Sequence, residues 1–230
     1  MELASIVLDP NTGEVLALTG GKDYNKSQYN RAISSKRQVG STMKPFLYYA
    51  ALENNLTSAS KFLSEKTDFV FSNEQIYSPT NYADKYANSD ITMAAALAYS
   101  DNVYAVKTHL FLGEEVLVNT LNRMGIKEKT NPVPSLALGT SELNMLDFAR
   151  GYTTLASGGY KRDISFINIS SYYVAVILML KRKNKILENE TFSSRNITLI
   201  LLMATVVTAL LFLFWSYKSP MAEIFIPPIP

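Results

Sequence analysis

Between residues 197 and 215 the chain carries 19 consecutive residues with no charged side chain, and no other feature restricts its possible folds as much. At 1.5 Å per residue, a helix of that length spans roughly 30 Å, the thickness of a bilayer's hydrocarbon core. Residues 1–163, by contrast, distribute Asp, Glu, Lys and Arg throughout, as a water-facing domain does. The overall hydrophobic fraction of 47% and charged fraction of 18% conceal that division. A basic cluster, Lys181-Arg-Lys-Asn-Lys185, precedes the charge-free run; it reads as a solvated patch or as a membrane flank. The sequence therefore predicts one domain over residues 1–165 and a separate segment over residues 166–230, with a transmembrane helix at 197–215. If residues 164–180 also cross, the basic cluster becomes a cytoplasmic loop and both ends lie outside. Asn168, Ser170 and Ser171 count against that first span.

Charge and composition exclude several functions. A formal net charge of +2, with no Lys/Arg stripe interleaved with aromatics, gives no reason to expect nucleic acid as a partner. The absence of cysteine removes disulfides, thiolate nucleophiles and Cys-based metal sites together. A single histidine, His109, rules out a His-rich metal site, and any Ser-His-Asp triad would have to use it. It sits among Val106, Leu110 and Phe111, where a packing role is expected. Neither a metal nor a cofactor is expected. The start, Met1-Glu-Leu-Ala-Ser5, lacks the basic and then apolar pattern of a signal peptide.

Local patterns predict the elements. Ser5-Ile-Val-Leu-Asp9 and Glu14-Val-Leu-Ala-Leu18 flank Pro10-Asn-Thr-Gly13, which reads as a β-hairpin with strands near 4–9 and 14–19. Gly40-Ser-Thr-Met-Lys-Pro45 opens an apolar run over 46–52 that reads as a buried helix. Pro45 is tolerated only in a first helical turn, so Ser41 is placed at the helix start. Residues 60–90 are rich in Asn, Asp, Ser and Tyr without a sustained period and read as a long surface loop. Asp90 is expected to cap a short Ala-rich helix over 91–99. Val103, Val106 and Leu110 predict a helix ended by Gly113, and Leu117, Leu121 and Met124 another ended by Gly125. Asn144 with Asp147 resembles a capping pair for a helix that Gly158-Gly159 closes. A hairpin followed by several helices points to an α/β or α+β domain.

The chemistry-bearing residues begin at Ser41 and Lys44. Three residues of helix bring both onto one face within a turn, and the backbone N–H groups of a helix start favour a developing oxyanion. A neutral lysine can take the serine proton if burial or nearby cations lower its pKa. The pattern alone more often marks an N-capping serine beside a solvated lysine, and it recurs at Ser58–Lys61 in a polar segment. Ser100-Asp-Asn102 alone is equally bland, since these residues favour helix junctions. The two motifs in this order say more, because Ser-x-x-Lys, Ser-Asp-Asn and Lys-Thr-Gly together mark penicillin-binding proteins and class A β-lactamases.

Asn30-Arg-Ala32, Arg37-Gln-Val-Gly-Ser-Thr-Met-Lys-Pro-Phe46, Tyr77-Ser-Pro-Thr-Asn-Tyr82, Ala96-Leu-Ala-Tyr-Ser-Asp-Asn102, Ala137-Leu-Gly-Thr140 and residues 153–159 resemble the bifunctional, class A penicillin-binding proteins. The resemblance covers most of residues 4–165 in the family's order. It implies a penicillin-binding/β-lactamase-like transpeptidase fold, an antiparallel sheet with packed helices. It also implies a serine D,D-transpeptidase that cross-links peptidoglycan stem peptides, is trapped by β-lactams as covalent inhibitors, and works at the outer face of the bacterial cell membrane. By position, Ser41 would be the acylated nucleophile and Lys44 its base. Ser100 would relay a proton to the leaving group, and Asn102 would bind the substrate backbone and help hold Lys44. Gly139 and Thr140 would be substrate-binding.

The sequence departs from the family in one motif: neither Lys-Thr-Gly nor Lys-Ser-Gly occurs, and Lys107-Thr-His109 and Lys129-Thr-Asn131 both lack the glycine. The resemblance implies that this motif's strand supplies one oxyanion-hole N–H, so a domain interrupted before it, and an impaired catalyst, are expected. The competing expectation is a non-catalytic, membrane-tethered sensor or scaffold that binds β-lactam or peptidoglycan.

Overall fold

The computed structural model describes residues 2–72 and 74–166. The 197–215 run, the basic cluster at 181–185 and the 166–230 segment assignment, apart from Phe166 itself, lie outside the described residues. Among the described residues, no helix is long and apolar enough to cross a membrane.

The chain begins with the expected hairpin. β1 (Ser5–Leu8) and β2 (Val15–Thr19) pair antiparallel, with a register shift between Val7 and Leu8. Gly13 closes the turn at φ +80°, and a Cβ there would lie 2.3 Å from the Asp163 carbonyl oxygen, so only glycine fits. Asn30 caps the short helix α1 (Arg31–Ser34) through Ala32 N–H. β3 (Lys36–Gln38) leads to a 3₁₀ turn at Gly40–Met43 and then to α2 (Lys44–Glu53). Pro45 occupies the first turn of α2, where its missing N–H costs no hydrogen bond.

Residues 60–90 depart from the predicted loop. They form β4 (Lys61–Ser64), β5 (Phe69–Val70), β6 (Ile76–Tyr77) and the start of β7 (Ser89–Thr92), with a 3₁₀ turn at Tyr82–Asp84. Strands of two to four residues carry too few alternations to leave a period. Asp90 belongs to β7 and does not cap a helix. α3 (Met93–Tyr99) starts two residues later than expected, capped by Thr92 through Ala95 N–H. α4 (Asn102–Leu112), ended by Gly113, and α5 (Glu114–Arg123), with Gly125 just past its end at φ +91°, follow as read. A 3₁₀ turn at Pro134–Leu138 precedes β8 (Glu142–Asn144) and α6 (Met145–Ala156). Asn144 caps α6 through Leu146 N–H, but Asp147 does not return the bond. Its carboxylate takes Lys127 N–H and Glu128 N–H, and Glu128 takes Asn144 N–H in its place.

The strands do not join into the single antiparallel sheet expected. Among the described residues they form four antiparallel pairs, β1–β2, β3–β8, β4–β7 and β5–β6. The core lies between helices. Phe46, Leu47 and Ala51 of α2 pack with Tyr104 and Ala105 of α4, Leu117 and Leu121 of α5, and Leu136, Leu143 and Phe148. The Phe46 ring meets Phe148 at 5.2 Å and Tyr152 at 4.9 Å between centroids, tilted geometries that favour aromatic pairs. Gly151 allows this contact, since a Cβ there would lie 2.9 Å from both Phe46 and Ile126. This buried α2 is the rod on which the site is mounted.

Candidate active site

Ser41 occupies the 3₁₀ turn ahead of α2, so the α-helix itself starts three residues later than the serine. Its carbonyl accepts the Lys44 backbone N–H and its side chain is exposed. Among the described residues the Ser41 hydroxyl has no hydrogen-bond partner. One turn further on, Lys44 points inward and is 1% exposed. Its Nζ donates to the Ser100 carbonyl at 2.6 Å, to Ser100 Oγ at 2.9 Å and to Asn102 Oδ1 at 2.7 Å. All three ammonium protons are thereby satisfied by neutral acceptors. Burial penalises the charge and pushes the Lys44 pKa down to about 8, while the nearby Asp101 carboxylate partly opposes the shift.

Ser100 meets Lys44 through an unusual backbone. It ends α3 in the left-handed region, at φ 55° and ψ 44°, a conformation that costs a non-glycine residue about 1–2 kcal/mol. The turn aims both its hydroxyl and its carbonyl at the same ammonium. Asp101 and Asn102 then open α4, with the Asp101 carboxylate capping Tyr104 N–H at 2.7 Å. Lys44, Ser100 and Asn102 thus meet by direct hydrogen bonds, and Ser41 joins them through the turn it shares with Lys44.

Gly139 and Thr140 sit on the other side of the Ser41 turn. Gly139, at φ +69°, receives the Gly40 N–H at 3.0 Å, and a Cβ on it would lie 2.1 Å from the Gly40 carbonyl oxygen. It is buried, so its contact is with the backbone beside Ser41. Thr140 is exposed, and its hydroxyl donates toward the Ser135 carbonyl and hydroxyl at 3.1 and 3.0 Å. Tyr152 ties α6 to the same turn by donating to the Thr42 carbonyl at 2.7 Å. An apolar groove of about 330 Å³ lies beside it, lined by Val39, Thr42, Leu143, Met145, Phe148 and Tyr152 among others and by none of Ser41, Lys44, Ser100 or Asn102. His109 is fully buried on α4, with Nε2 3.1 Å from the Val133 carbonyl; burial lowers its pKa.

Sequence reasoning missed the residues around Asp101. Ser64, at the end of β4, donates to its carboxylate at 2.5 Å, and Asn81 donates to it at 2.7 Å. Ser64 lies in a polar segment with no pattern to single it out. Asn81 lies within Tyr77-Ser-Pro-Thr-Asn-Tyr82, a resembling stretch that carried no assigned role.

The model of the penicillin binding protein transpeptidase domain matches residues 3–209. Penicillin-binding protein 2D of Bacillus subtilis (strain 168) is 48% identical over 162 residues, which cover 70% of this chain and 23% of that protein. Penicillin-binding protein 1A of Escherichia coli (strain K12) is 36% identical over 167 residues, covering 72% of this chain and 20% of that one. The chain thus spans between a fifth and a quarter of the length of these relatives. Among solved structures, penicillin-binding protein 1A of Haemophilus influenzae superposes with a TM-score of 0.69 at 30% identity, over 73% of this chain and 25% of that chain. PonA1 of Mycobacterium tuberculosis, in complex with penicillin V, shares the fold with a TM-score of 0.61 at 22% identity, over 72% of this chain and 46% of that chain. On the family match and the shared mixed helix-and-sheet fold, this chain belongs to the penicillin-binding protein transpeptidase domains, with class A proteins among its homologues.

Proposed function

We propose that this domain is a serine-type D,D-transpeptidase that cross-links peptidoglycan stem peptides through an acyl-enzyme on Ser41 and is acylated there by β-lactams. The observation that carries the reading is Lys44. It is buried, its three donors are taken by Ser100 and Asn102, and its pKa is pushed down to about 8. At pH 7 roughly a tenth of such a lysine is neutral, about 300-fold more than at its ordinary pKa.

Ser41 Oγ, exposed and free of a competing hydrogen bond among the described residues, attacks the carbonyl carbon of the penultimate D-alanine. Its proton passes to neutral Lys44, one turn along the same face. The Ser100 hydroxyl, in contact with Lys44, delivers a proton to the departing D-alanine amine, or to the ring nitrogen of a β-lactam. The acyl group stays on Ser41 until the amine of a second stem peptide attacks and releases it. Asn102 holds Lys44 through Oδ1 and lies where a substrate backbone would run. Thr140, exposed, is the member of the Gly139–Thr140 pair that reaches substrate, while Gly139 admits the Gly40 backbone. Because peptidoglycan lies outside the cytoplasmic membrane, the reading assigns the domain to its outer face, which with residues 197–215 as a candidate membrane segment requires residues 164–180 to cross as well, so that the basic cluster lies inside.

The 230 residues carry no Lys-Thr-Gly or Lys-Ser-Gly tripeptide. With Ser41 N–H as a single oxyanion donor, acylation is expected to run roughly 10²–10³ slower than with two. That same departure favours the competing reading, a membrane-tethered sensor or scaffold that binds without turnover. Mass spectrometry after incubation with a labelled penicillin, on wild type and Ser41→Ala, tests both. A covalent adduct on Ser41 that Ser41→Ala abolishes supports the enzyme. Labelling that persists in Ser41→Ala removes the nucleophile assignment. An adduct with no turnover of a D-Ala-D-Ala peptide leaves the sensor.

A further inference from the structure

Asp101 is 6% exposed, and among the described residues its carboxylate has no opposing charge in direct contact; neutral donors satisfy it. Oδ2 accepts from Ser64 Oγ at 2.5 Å and from Asn81 Nδ2 at 2.7 Å, and Oδ1 accepts from Tyr104 N–H at 2.7 Å. Ser64 is fully buried and Asn81 is 8% exposed. A buried carboxylate deprived of such donors would be strongly unfavourable.

The other half of the Asn81 amide acts on the catalytic loop. Its Oδ1 accepts Asn102 N–H at 2.7 Å and Val103 N–H at 3.4 Å, the first amides of α4, which have no partner within the helix. The residue before it, Thr80, accepts Asn102 Nδ2 through its carbonyl at 2.7 Å. Residues 80 and 81 therefore grip Asn102 by backbone and side chain together. The remaining polar atom of that side chain, Oδ1, is the one that receives Lys44 Nζ.

We propose that Asn81 is a positioning residue of this site, one amide that fixes Asp101 and Asn102 together and so sets where Lys44 is held. The inference rests on the reading of Ser41 and Lys44 given above and extends it to a residue that touches neither. Asn81 suits the task because it carries a donating group and an accepting group on one short, rigid plane. An aspartate in its place would set a carboxylate against Asp101, and an alanine would remove one of the three donors to Asp101 and leave Asn102 N–H without its acceptor.

The test is acylation of the 230-residue chain by a fluorescent penicillin, resolved into the dissociation constant of the first complex and the rate of the acylation step. In Asn81→Ala and Asn81→Asp the rate of that step should fall about 10- to 100-fold, because misplacement of a catalytic group by an ångström costs that much. The dissociation constant should change less than that rate does, since Asn81 reaches the ligand only through Asn102. The reciprocal pair N81D/D101N again sets one amide against one carboxylate, and it should recover to within about threefold of wild type. The pair also decides the matter if a single variant fails to fold, because a restored contact restores both folding and rate. Wild-type acylation in folded Asn81→Ala, or a pair no better than Asn81→Asp alone, overturns the inference while leaving Ser41 and Lys44 in place. No labelling of wild type, or labelling that survives Ser41→Ala, removes the transpeptidase reading and this inference with it.

Discussion

Lys44 shows how one side chain can be both a packing element and a chemical group. Its stem lies in the α2 core and its head is surrounded by acceptors that carry no formal charge, so the cost of burying an ammonium appears as an increased readiness to lose the proton. Because the neutral amine is the base, acylation should rise about tenfold per pH unit below pH 8 and level off above it. A stopped-flow pH series with a chromogenic β-lactam checks this, and a flat profile between pH 6 and 9 would remove Lys44 as the titrating base. Lys44→Arg, which keeps the charge but cannot lose it, should lower the rate by roughly 10²–10⁴ on the plateau above pH 8, and by less as the wild-type rate falls below it. Ser100 carries a second separable pair of effects, strain in its left-handed backbone and chemistry in its hydroxyl. Ser100→Gly should therefore be more stable than Ser100→Ala by about 1 kcal/mol. Both variants should lose acylation by the same factor, since both lack the hydroxyl. Denaturant midpoints and labelling rates on the two variants separate the contributions, and equal stabilities would mean that the turn is not strained.

At the scale of elements, what the sequence discloses depends on how local the determinants are. The β1–β2 hairpin and α2, α4, α5 and α6 are each bounded by a turn, a cap or a glycine within a few residues of their own ends, and these could be read directly. β3 could not, because its partner β8 is distant in the chain, with Lys36 opposite Asn144. Likewise β4 needs β7, with Phe62 opposite Ile91, before either has a reason to be a strand. The site divides in the same way. Ser41, Lys44, Ser100 and Asn102 fall in two short motifs, whereas Ser64 and Asn81 reach the site through contacts with Asp101 and, for Asn81, with Asn102, which exist only after β4 and the 78–81 loop have come together. The approach of Gly40 and Gly139 is another long-range contact, and it is directly testable. Gly139→Ala puts a methyl against the Gly40 backbone and a side chain at positive φ. It should cost about 1–2 kcal/mol from the backbone conformation alone and should displace the turn holding Ser41. Circular dichroism in urea should show the lost stability, and penicillin labelling should fall by more than the unfolded fraction explains. Wild-type labelling in the folded variant would mean that the Gly40–Gly139 contact does not set the position of Ser41.

Across the described domain, core and site share α2, so mutations in the core need not be equivalent. Phe46 lies two residues beyond Lys44 and is held between Phe148 and Tyr152, and Tyr152 also donates to the carbonyl of Thr42, beside the nucleophile. Leu117 is as fully buried as Phe46 but belongs to α5, which packs against α2 and α4. Both truncations should destabilise, Phe46→Ala by about 3–5 kcal/mol and Leu117→Ala by about 2–5 kcal/mol, since each leaves a cavity that the surrounding helices only partly fill. Their effects on chemistry should diverge. In Leu117→Ala the rate of labelling per folded molecule should match wild type, because the Lys44–Ser100–Asn102 contacts and the Ser41 turn keep their supports. In Phe46→Ala the loss of the ring removes the surface against which Tyr152 is seated, and the turn bearing Ser41 loses a fixed neighbour. Labelling per folded molecule should then drop by about tenfold or more, the scale of a misplaced nucleophile. Urea titration gives the folded fraction, and labelling below the transition, divided by that fraction, gives the intrinsic rate. If both variants label like wild type once corrected, the nucleophile turn is held by its own backbone contacts, Gly40 to Gly139 above all, and the aromatic cluster serves stability alone.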